Sequence, residues 1–476
     1  MRLTEKQISS LPPRALHLTR AYLDTVSLVN FAKVLPHFHH HISESRLSAV
    51  FVPHWQHSFI SLVAWRQHVV WFVAACCAAL AANLFQFLDD KSVDIKTDLK
   101  AISKYIQPFF LVVAMPLICQ LRDRVFPGTG GTGIPQVIAA LRIPHGPKRR
   151  HQVLSWEILI GKIILLTMGL FAGMTIGREG PSVQVAACFL YLSDSWGKFQ
   201  MSLVDRGLIL AGAAAGITGA FNTPIAGVIF AVEEIGRSFE KDCQSTIVRT
   251  AVVAAVISWQ FYGNYNFYNG EVRARTDIAS ELFAIVPIGI VLGLLGGLFS
   301  QSLLVATKSY KRLYPKYPIL TAFALGLLLA GLALATDGTS LGSGMGKCEE
   351  VLKNEETVPI YTSFAIAAGN WICLLSGIPG GLFDPALSTG ASLGQMLANS
   401  SLNWTTFGDY EAVVLLSMVA YFSGVAQAPL TGAVIVIEMT NAQYLTTQLF
   451  LVSICAYECS KLVCPIGLYD GLADMI

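Results

Sequence analysis

Glu179 is the residue with the most chemistry open to it. It sits in the stretch Met174–Val185, MTIGREGPSVQV, beside Arg178 and between two long apolar runs. Gly177, Gly180 and Pro181 surround it. Pro181 suits the first turn of a helix, where its missing N–H costs nothing, and the glycines leave backbone N–H groups open to close approach. A helix N-terminus carries roughly half a positive charge and unpaired N–H donors. Buried in a membrane, such an end attracts anions. Glu179 is itself an anion held where an anion would bind. Ionised, it competes with a halide for the same donors; protonated, it lets go. A group that takes either the site or a proton couples anion movement to proton movement. An ion pair with Arg178 is the structural alternative, but neighbours at a helix start point apart, and an intramembrane carboxylate is functional by default.

Three further glutamates follow short apolar segments. Glu233 and Glu234 come after Pro224, and Glu438 comes after Pro429. At the C-terminal end of a helix a carboxylate meets the unfavourable end of the dipole. Glu233 and Glu438 are therefore expected to mark the water boundary of short helices. Thr132 and Tyr469, taken alone, read as ordinary loop and interface residues, tyrosine being common at membrane edges.

The elements that must hold these groups are transmembrane helices. The chain of 476 residues is 53% hydrophobic and only 13% charged, against about a quarter charged in soluble domains. Its mean hydropathy is +0.55. This is a polytopic membrane protein. With 33 basic and 31 acidic residues, net charge +2, it has no overall field to recruit a nucleic acid. Spans are expected at Val69–Leu88, with Asp89, Asp90, Lys91 and Asp94 as its water-facing end, and at Pro108–Leu121, Trp156–Ile176, Ile247–Tyr262, Leu282–Ala306 and Ile319–Ala335. Between them Ser182–Leu192, Leu208–Ala220 and Pro224–Val232 fall below the ~20 residues needed to cross. Broken helices at membrane depth are tolerated only where they line a cavity. Gly289, Gly293, Gly296 and Gly297 predict close helix packing on one span.

Residues 1–66 are mixed and basic, with no cleavable signal peptide expected; the positive-inside rule keeps them in the cytoplasm, along with the loop His145–His151. The cluster His37–His41 reads as a flexible basic tail rather than a metal site, since no acidic or cysteine partner lies at ligand spacing. The ten scattered cysteines, with no C-x-x-C pair, read as small apolar filler.

The chain repeats itself. GREGP at 177–181 has a counterpart in GLFDP at 381–385, an offset of 204. Pro224 and Glu233 match Pro429 and Glu438 at an offset of 205, and Gly131-Thr132-Gly133 matches Gly342-Ser343-Gly344 at 211. Matched landmarks in one order mean two halves of one architecture facing a shared midplane. The spacing alone leaves open whether the halves are parallel or inverted.

GTGIP at 131–135, GREGP at 177–181, GLFDP at 381–385 and Tyr469 arrive in that order. Together they resemble the CLC family of chloride channels and chloride/proton exchangers, over roughly Val69 to Ile476. The resemblance implies an all-α polytopic fold built as an inverted internal repeat of tilted and half-spanning helices. The transport core is expected at 67–476, in repeats of about 67–270 and 278–476, following a cytoplasmic segment 1–66. A homodimer in the lipid bilayer, one anion pathway per subunit, is also implied. The large regulatory domains that follow the core in many eukaryotic members are not expected, and a bacterial inner membrane is the implied location. Residue by residue, Glu179 matches the gating glutamate and Glu234 the inner proton-transfer glutamate of the exchangers. Leu382 and Phe383 match positions whose N–H groups face the anion, and Tyr469 matches the tyrosine whose hydroxyl completes that site. Thr132 stands where the family carries a serine, keeping the hydroxyl and adding a methyl.

The resemblance implies exchange of chloride for protons, with a passive chloride channel as the alternative; Glu234 leans toward exchange. Chloride and protons are the substrates, and no cofactor, metal or nucleic acid is expected. An intramembrane hydrolase using Glu179 and Glu234 is set aside, because the chain has no H-E-x-x-H and no nucleophile with a nearby base.

Overall fold

The computed structural model describes residues 62–142, 150–198, 202–236, 241–263, 278–354, 357–400 and 410–476. Residues 1–61, with the histidine cluster, and the basic loop's 145–149 lie outside them. Arg66–Ile476 form one compact unit.

Every named element of that unit is helical. In chain order they are α1 (Leu62–Ile102), α2 (Ile106–Arg124), α3 (Ile134–Arg142), α4 (Trp156–Ala172), α5 (Glu179–Gly197), α6 (Ser202–Phe221) and α7 (Pro224–Phe230). A π-turn, Ala231–Gly236, extends α7. There follow α8 (Lys241–Tyr262), α9 (Ile278–Leu313), α10 (Pro318–Ala335), α11 (Met345–Leu352), α12 (Tyr361–Ser376), α13 (Phe383–Ala398) and α14 (Tyr410–Ala426). The last are α15 (Pro429–Thr440), α16 (Thr446–Val463) and α17 (Leu468–Ala473). Among the described residues α1, α2, α9 and α10 contain the helices long and apolar enough to cross a membrane.

The repeat in the sequence is a repeat in structure. α4 stops at Gly173 (φ +83°) and α12 at Gly377 (φ +72°), again 204 residues apart. In both places the left-handed glycine ends a helix and a short extended segment leads into the next helix N-terminus. Those two segments pair antiparallel: Gly177 N–H donates to Gly381 O (2.9 Å) and Gly381 N–H to Gly177 O (2.6 Å). Equivalent segments running in opposite directions are what an inverted repeat requires.

Two expectations need correcting. Asp89 does not face water as expected, whereas Asp90, Lys91 and Asp94, which follow it along the 41-residue α1, are exposed. Asp89 is buried and its Oδ2 lies 3.1 Å from Arg178 Nη1, so its charge is met inside the protein. Arg178 thus pairs with Asp89. Second, the pieces around 182–192 and 208–220 lie in longer helices than expected, though neither is among those long and apolar enough to cross a membrane. α5 has 19 residues and α6 has 20, and Gly212 and Gly216 are packing residues within α6. A Cβ on Gly216 would lie 2.6 Å from Val183 Cα. Only α7, at 7 residues, is as short as expected.

The glycines of α9 pack as the sequence predicts. A Cβ on Gly293 would come within 2.6 Å of Ala456 Cα on α16, and one on Gly296 within 2.9 Å of Gly424 Cα on α14.

Removing one member of a buried ion pair leaves the other charge uncompensated, at a cost of about 3–5 kcal/mol. Asp89→Ala should therefore lower stability by about that much, strand Arg178, and reduce the thermal midpoint of detergent-purified protein. An unchanged midpoint would show that the pair is not what holds α1 against the start of α5.

Candidate functional site

The site is built where helix ends converge on the Gly177–Gly381 pairing. The start of α5 carries Glu179; the start of α13 carries Leu382, Phe383 and Asp384. The first N–H groups of a helix have no partner within it, so two sets of donors and two positive helix ends face one space. The close approach demands glycine: Glu179 Oε2 occupies the position a Cβ on Gly177 would need and lies 3.1 Å from one on Gly381. Asn370 braces the crossing, donating from Nδ2 to Thr175 O (2.9 Å) and Gly381 O (3.2 Å).

A third end comes from α3. The loop 127–133 before it is held by residues that sequence reasoning passed over. Lys162, fully buried in α4, donates to Thr129 O (2.8 Å) and Gly131 O (2.6 Å). Gly131 N–H donates to Gly377 O (2.9 Å), and Gly133 N–H to Gln136 Oε1 (2.9 Å). A lone lysine inside an apolar run was the signal for this role. The loop lies against α5 so tightly that a Cβ on Gly180 would collide with Thr132 O. Thr132 is therefore one residue from Glu179 across the helix contact. It also lines a cavity of about 630 Å³, together with Gly130, Gly131, Arg122, Lys311 and Ile476.

Tyr469 enters on α17. Arg142, at the end of α3, pairs with Asp470 and, at 2.6 Å, with Asp474. That fastens α17 to the helix whose start carries Thr132. The Tyr469 ring stacks on Phe383 (centroids 6.4 Å, interplanar 27°). Phe383 also packs edge-on against Phe230 (5.8 Å) and Phe422 (4.8 Å) and tilted against Phe221 (6.1 Å). This aromatic hub, gathered from α6, α7, α13, α14 and α17, has no local sequence signal, because its members lie far apart in the chain.

The structure thus brings Thr132, Glu179, Leu382, Phe383 and Tyr469 to one buried region. The hydroxyls of Thr132 and Tyr469 and both oxygens of Glu179 are buried and make no hydrogen bond to protein. Glu234 is only 5% exposed, in the π-turn after α7, and lies with Glu179 within electrostatic range of Tyr469.

Glu233 and Glu438 take a different place from the one expected. Each carboxylate caps a helix of the other repeat. Glu233 accepts from Leu430 N–H (3.0 Å), Thr431 N–H (2.7 Å) and the Thr431 hydroxyl (2.7 Å), at the start of α15. Glu438 accepts from Ile225 N–H (3.2 Å) and Ala226 N–H (2.7 Å), at the start of α7. The unfavourable end of each glutamate's own helix is outweighed by the favourable end of its partner's.

Convergent helix ends, orphaned hydroxyls and a buried carboxylate at the crossing of an inverted repeat define an ion-transport fold. A family model described as voltage gated chloride channel matches residues 114–461, and the chain belongs to that family, the CLC proteins. It is similar to the H(+)/Cl(-) exchange transporter ClcA of Vibrio parahaemolyticus serotype O3:K6, 27% identical over 362 residues, covering 74% of this chain and 76% of that one. It is 29% identical over 336 residues to ClcA of Yersinia pestis bv. Antiqua (strain Angola), covering 67% of each. Its fold matches that of a slow cyanobacterial Cl-/H+ antiporter, with TM-score 0.73 at 22% identity over 86% of this chain and 97% of the other. A CLC-type fluoride/proton antiporter matches with TM-score 0.71 at 21% identity, covering 84% and 96%. The chain is an integral membrane protein.

The two classes of glutamate are separable. Glu233→Ala removes a cap worth about 0.5–2 kcal/mol and should lower the thermal midpoint while leaving chloride-driven proton movement in place. Loss of proton movement with unchanged stability would instead make Glu233 part of the proton route.

Proposed function

We propose that this protein is a secondary active antiporter that exchanges chloride for protons across a membrane, with Glu179 as its outer gate. The observation that carries the reading is the buried pair of carboxylates, Glu179 and Glu234, both within electrostatic range of the Tyr469 hydroxyl. The names of the ClcA relatives support it.

The chemistry follows from the donors. Ionised Glu179 sets its charge against the positive starts of α5 and α13 and excludes a halide. A proton on Glu179 removes that attraction and frees the donors for chloride. Chloride then meets the hydroxyls of Thr132 and Tyr469 and the N–H groups of Leu382 and Phe383. These neutral donors hold an anion without the full charge that would slow its release; each contributes about 1.5–3 kcal/mol to a charged partner. Glu234 serves as the inner proton carboxylate. A passive channel needs no second buried carboxylate, so Glu234 favours exchange over conduction.

The working protein is a homodimer with one pathway per subunit, in a bacterial inner membrane with its N-terminus in the cytoplasm. Ile225 (60% exposed) and Leu430 (45%), on the reciprocally capped α7 and α15, give an apolar face suited to the partner subunit.

Purified protein in liposomes tests the reading: an outward chloride gradient should drive protons uphill. Glu179→Gln and Glu234→Gln should each keep chloride flux and abolish proton movement. Proton pumping that survives in Glu179→Gln overturns the gate; survival in Glu234→Gln overturns the inner carboxylate. At the anion site, Thr132→Ser should be nearly silent for chloride, whereas Thr132→Pro should shift preference toward nitrate. Anomalous density from a bromide-soaked crystal lying away from Thr132 and Tyr469 would overturn that site.

A further inference from the structure

We propose that Asp384 is a second proton-holding carboxyl of the outer gate, sharing one proton with Glu179. The proposal rests on the reading of Glu179 as that gate and adds a residue to it.

Asp384 occupies, in the second repeat, the position that Gly180 occupies in the first, at the same offset of 204. Phe383 stands in the place of Glu179. The two carboxyls therefore sit one residue out of step on helix starts that the Gly177–Gly381 hydrogen bonds hold face to face. Asp384 is fully buried, and its carboxyl lies within hydrogen-bonding reach of that of Glu179. Neither carboxyl has a donor from any other protein group. Asp384 lies in the first turn of α13 and makes no cap hydrogen bond, which leaves its charge to act on the helix dipole and on Glu179.

Two ionised carboxylates are acceptors only and cannot bond to each other. Side by side in a buried site, they do not both ionise. One proton resolves both problems: Asp384 O–H donates to the Glu179 carboxylate, and a short charge-assisted hydrogen bond forms. The pair then carries a single negative charge, matched to the two helix ends. The charged and titratable groups around Asp384 fit that balance. Arg178 faces it from the start of α5, already engaged by Asp89 of α1, and Cys348 faces it from α11. In the closed gate Glu179 is held by Asp384 and by the positive ends of the two helices. A second proton, arriving from outside, neutralises Glu179, leaves both groups as acids and opens the donors to chloride.

The shared proton has a signature independent of transport. In purified wild-type protein at neutral pH, infrared spectroscopy with 13C-aspartate labelling should show a protonated-carboxyl C=O stretch. It should vanish in Asp384→Asn and weaken in Glu179→Gln, where Asp384 has no carboxylate left to share its proton with. A wild-type spectrum without that band, or a band unchanged in Asp384→Asn, overturns the proposal. The flux test uses the same residues. In Glu179→Gln, Asp384 alone faces the pathway; ionised, it repels the anion, so chloride flux should rise about tenfold as pH falls from about 7.5 to about 4.5. The double variant Glu179→Gln/Asp384→Asn should lose that rise. A Glu179→Gln flux that is flat with pH, or a rise that persists in the double variant, overturns the assignment to Asp384. Asp384→Ala serves in both tests if the Asn variant does not elute as a folded protein. Should the wild type fail to exchange chloride for protons, the antiport reading falls, while the infrared band still decides the shared proton.

Discussion

The structure turns on two helix N-termini held against each other by a pair of backbone hydrogen bonds. Joining Gly177 to Gly381 fixes the starts of α5 and α13 face to face, each with its partial positive charge. Two like ends in a low-dielectric interior repel, and their unpaired N–H groups have no water to bond. The arrangement is stable only with negative charge between the ends. Glu179 supplies it when the gate is closed; a chloride supplies it when the gate is open. The alternation of the two follows from the electrostatics of the crossing, and the surrounding parts keep the crossing from opening out. Asn370 braces it from α12, and the Asp89–Arg178 pair ties α1 to it, with Ser343 reaching Asp89 Oδ2 at 3.4 Å.

The same physics appears a second time with the opposite outcome. At the starts of α7 and α15 the negative charge comes from Glu438 and Glu233, each reaching across from the other repeat. These carboxylates receive two or three donors apiece, and both helices open with proline, which removes one orphan N–H. Nothing is left over for an ion. The buried carboxyl oxygens of Glu179 and Asp384 have no such complement. A carboxylate whose donors are complete is a fixed part of the fold; one whose donors are shared with a substrate can leave. That distinction separates four intramembrane acids that look alike in the sequence.

It also marks how far the sequence could be read. The repeat was legible because its landmarks are glycines, prolines and acids, residue types with strong positional meaning. Four of the six expected spans were legible from their apolar length; α4 and α8 are not among the helices long and apolar enough to cross. Asp89 misled because a charge reads as a boundary when its partner, Arg178, is 89 residues away. α5 and α6 looked shorter than they are because their ends carry polar residues, such as Asp194 and Arg206, that an apolar count leaves out. Glu233 and Glu438 were recognised as structural, but for the wrong reason: the helix each one caps belongs to the other half of the chain. The Phe221–Phe230–Phe383–Phe422 hub left no trace at all, since its contacts are entirely tertiary.

The hub bears on why the two halves differ. A perfect inverted repeat would place Glu179 opposite a second glutamate at 383, two gates on one axis competing for the same donors. Phe383 stands there instead, and its ring is bound to Tyr469 and three other aromatic side chains. Such a residue cannot swing, so position 383 is rigid and offers its backbone N–H, with the Asp384 carboxyl beside it. The other side carries the acid that moves. A single mobile carboxylate against a fixed wall gives two states, occupied by Glu179 or occupied by the anion, and it is this exclusivity that ties a proton to each release of the gate. Symmetry brings the helix ends together; its local breaking at 179 and 383 assigns one end to hold and the other to switch.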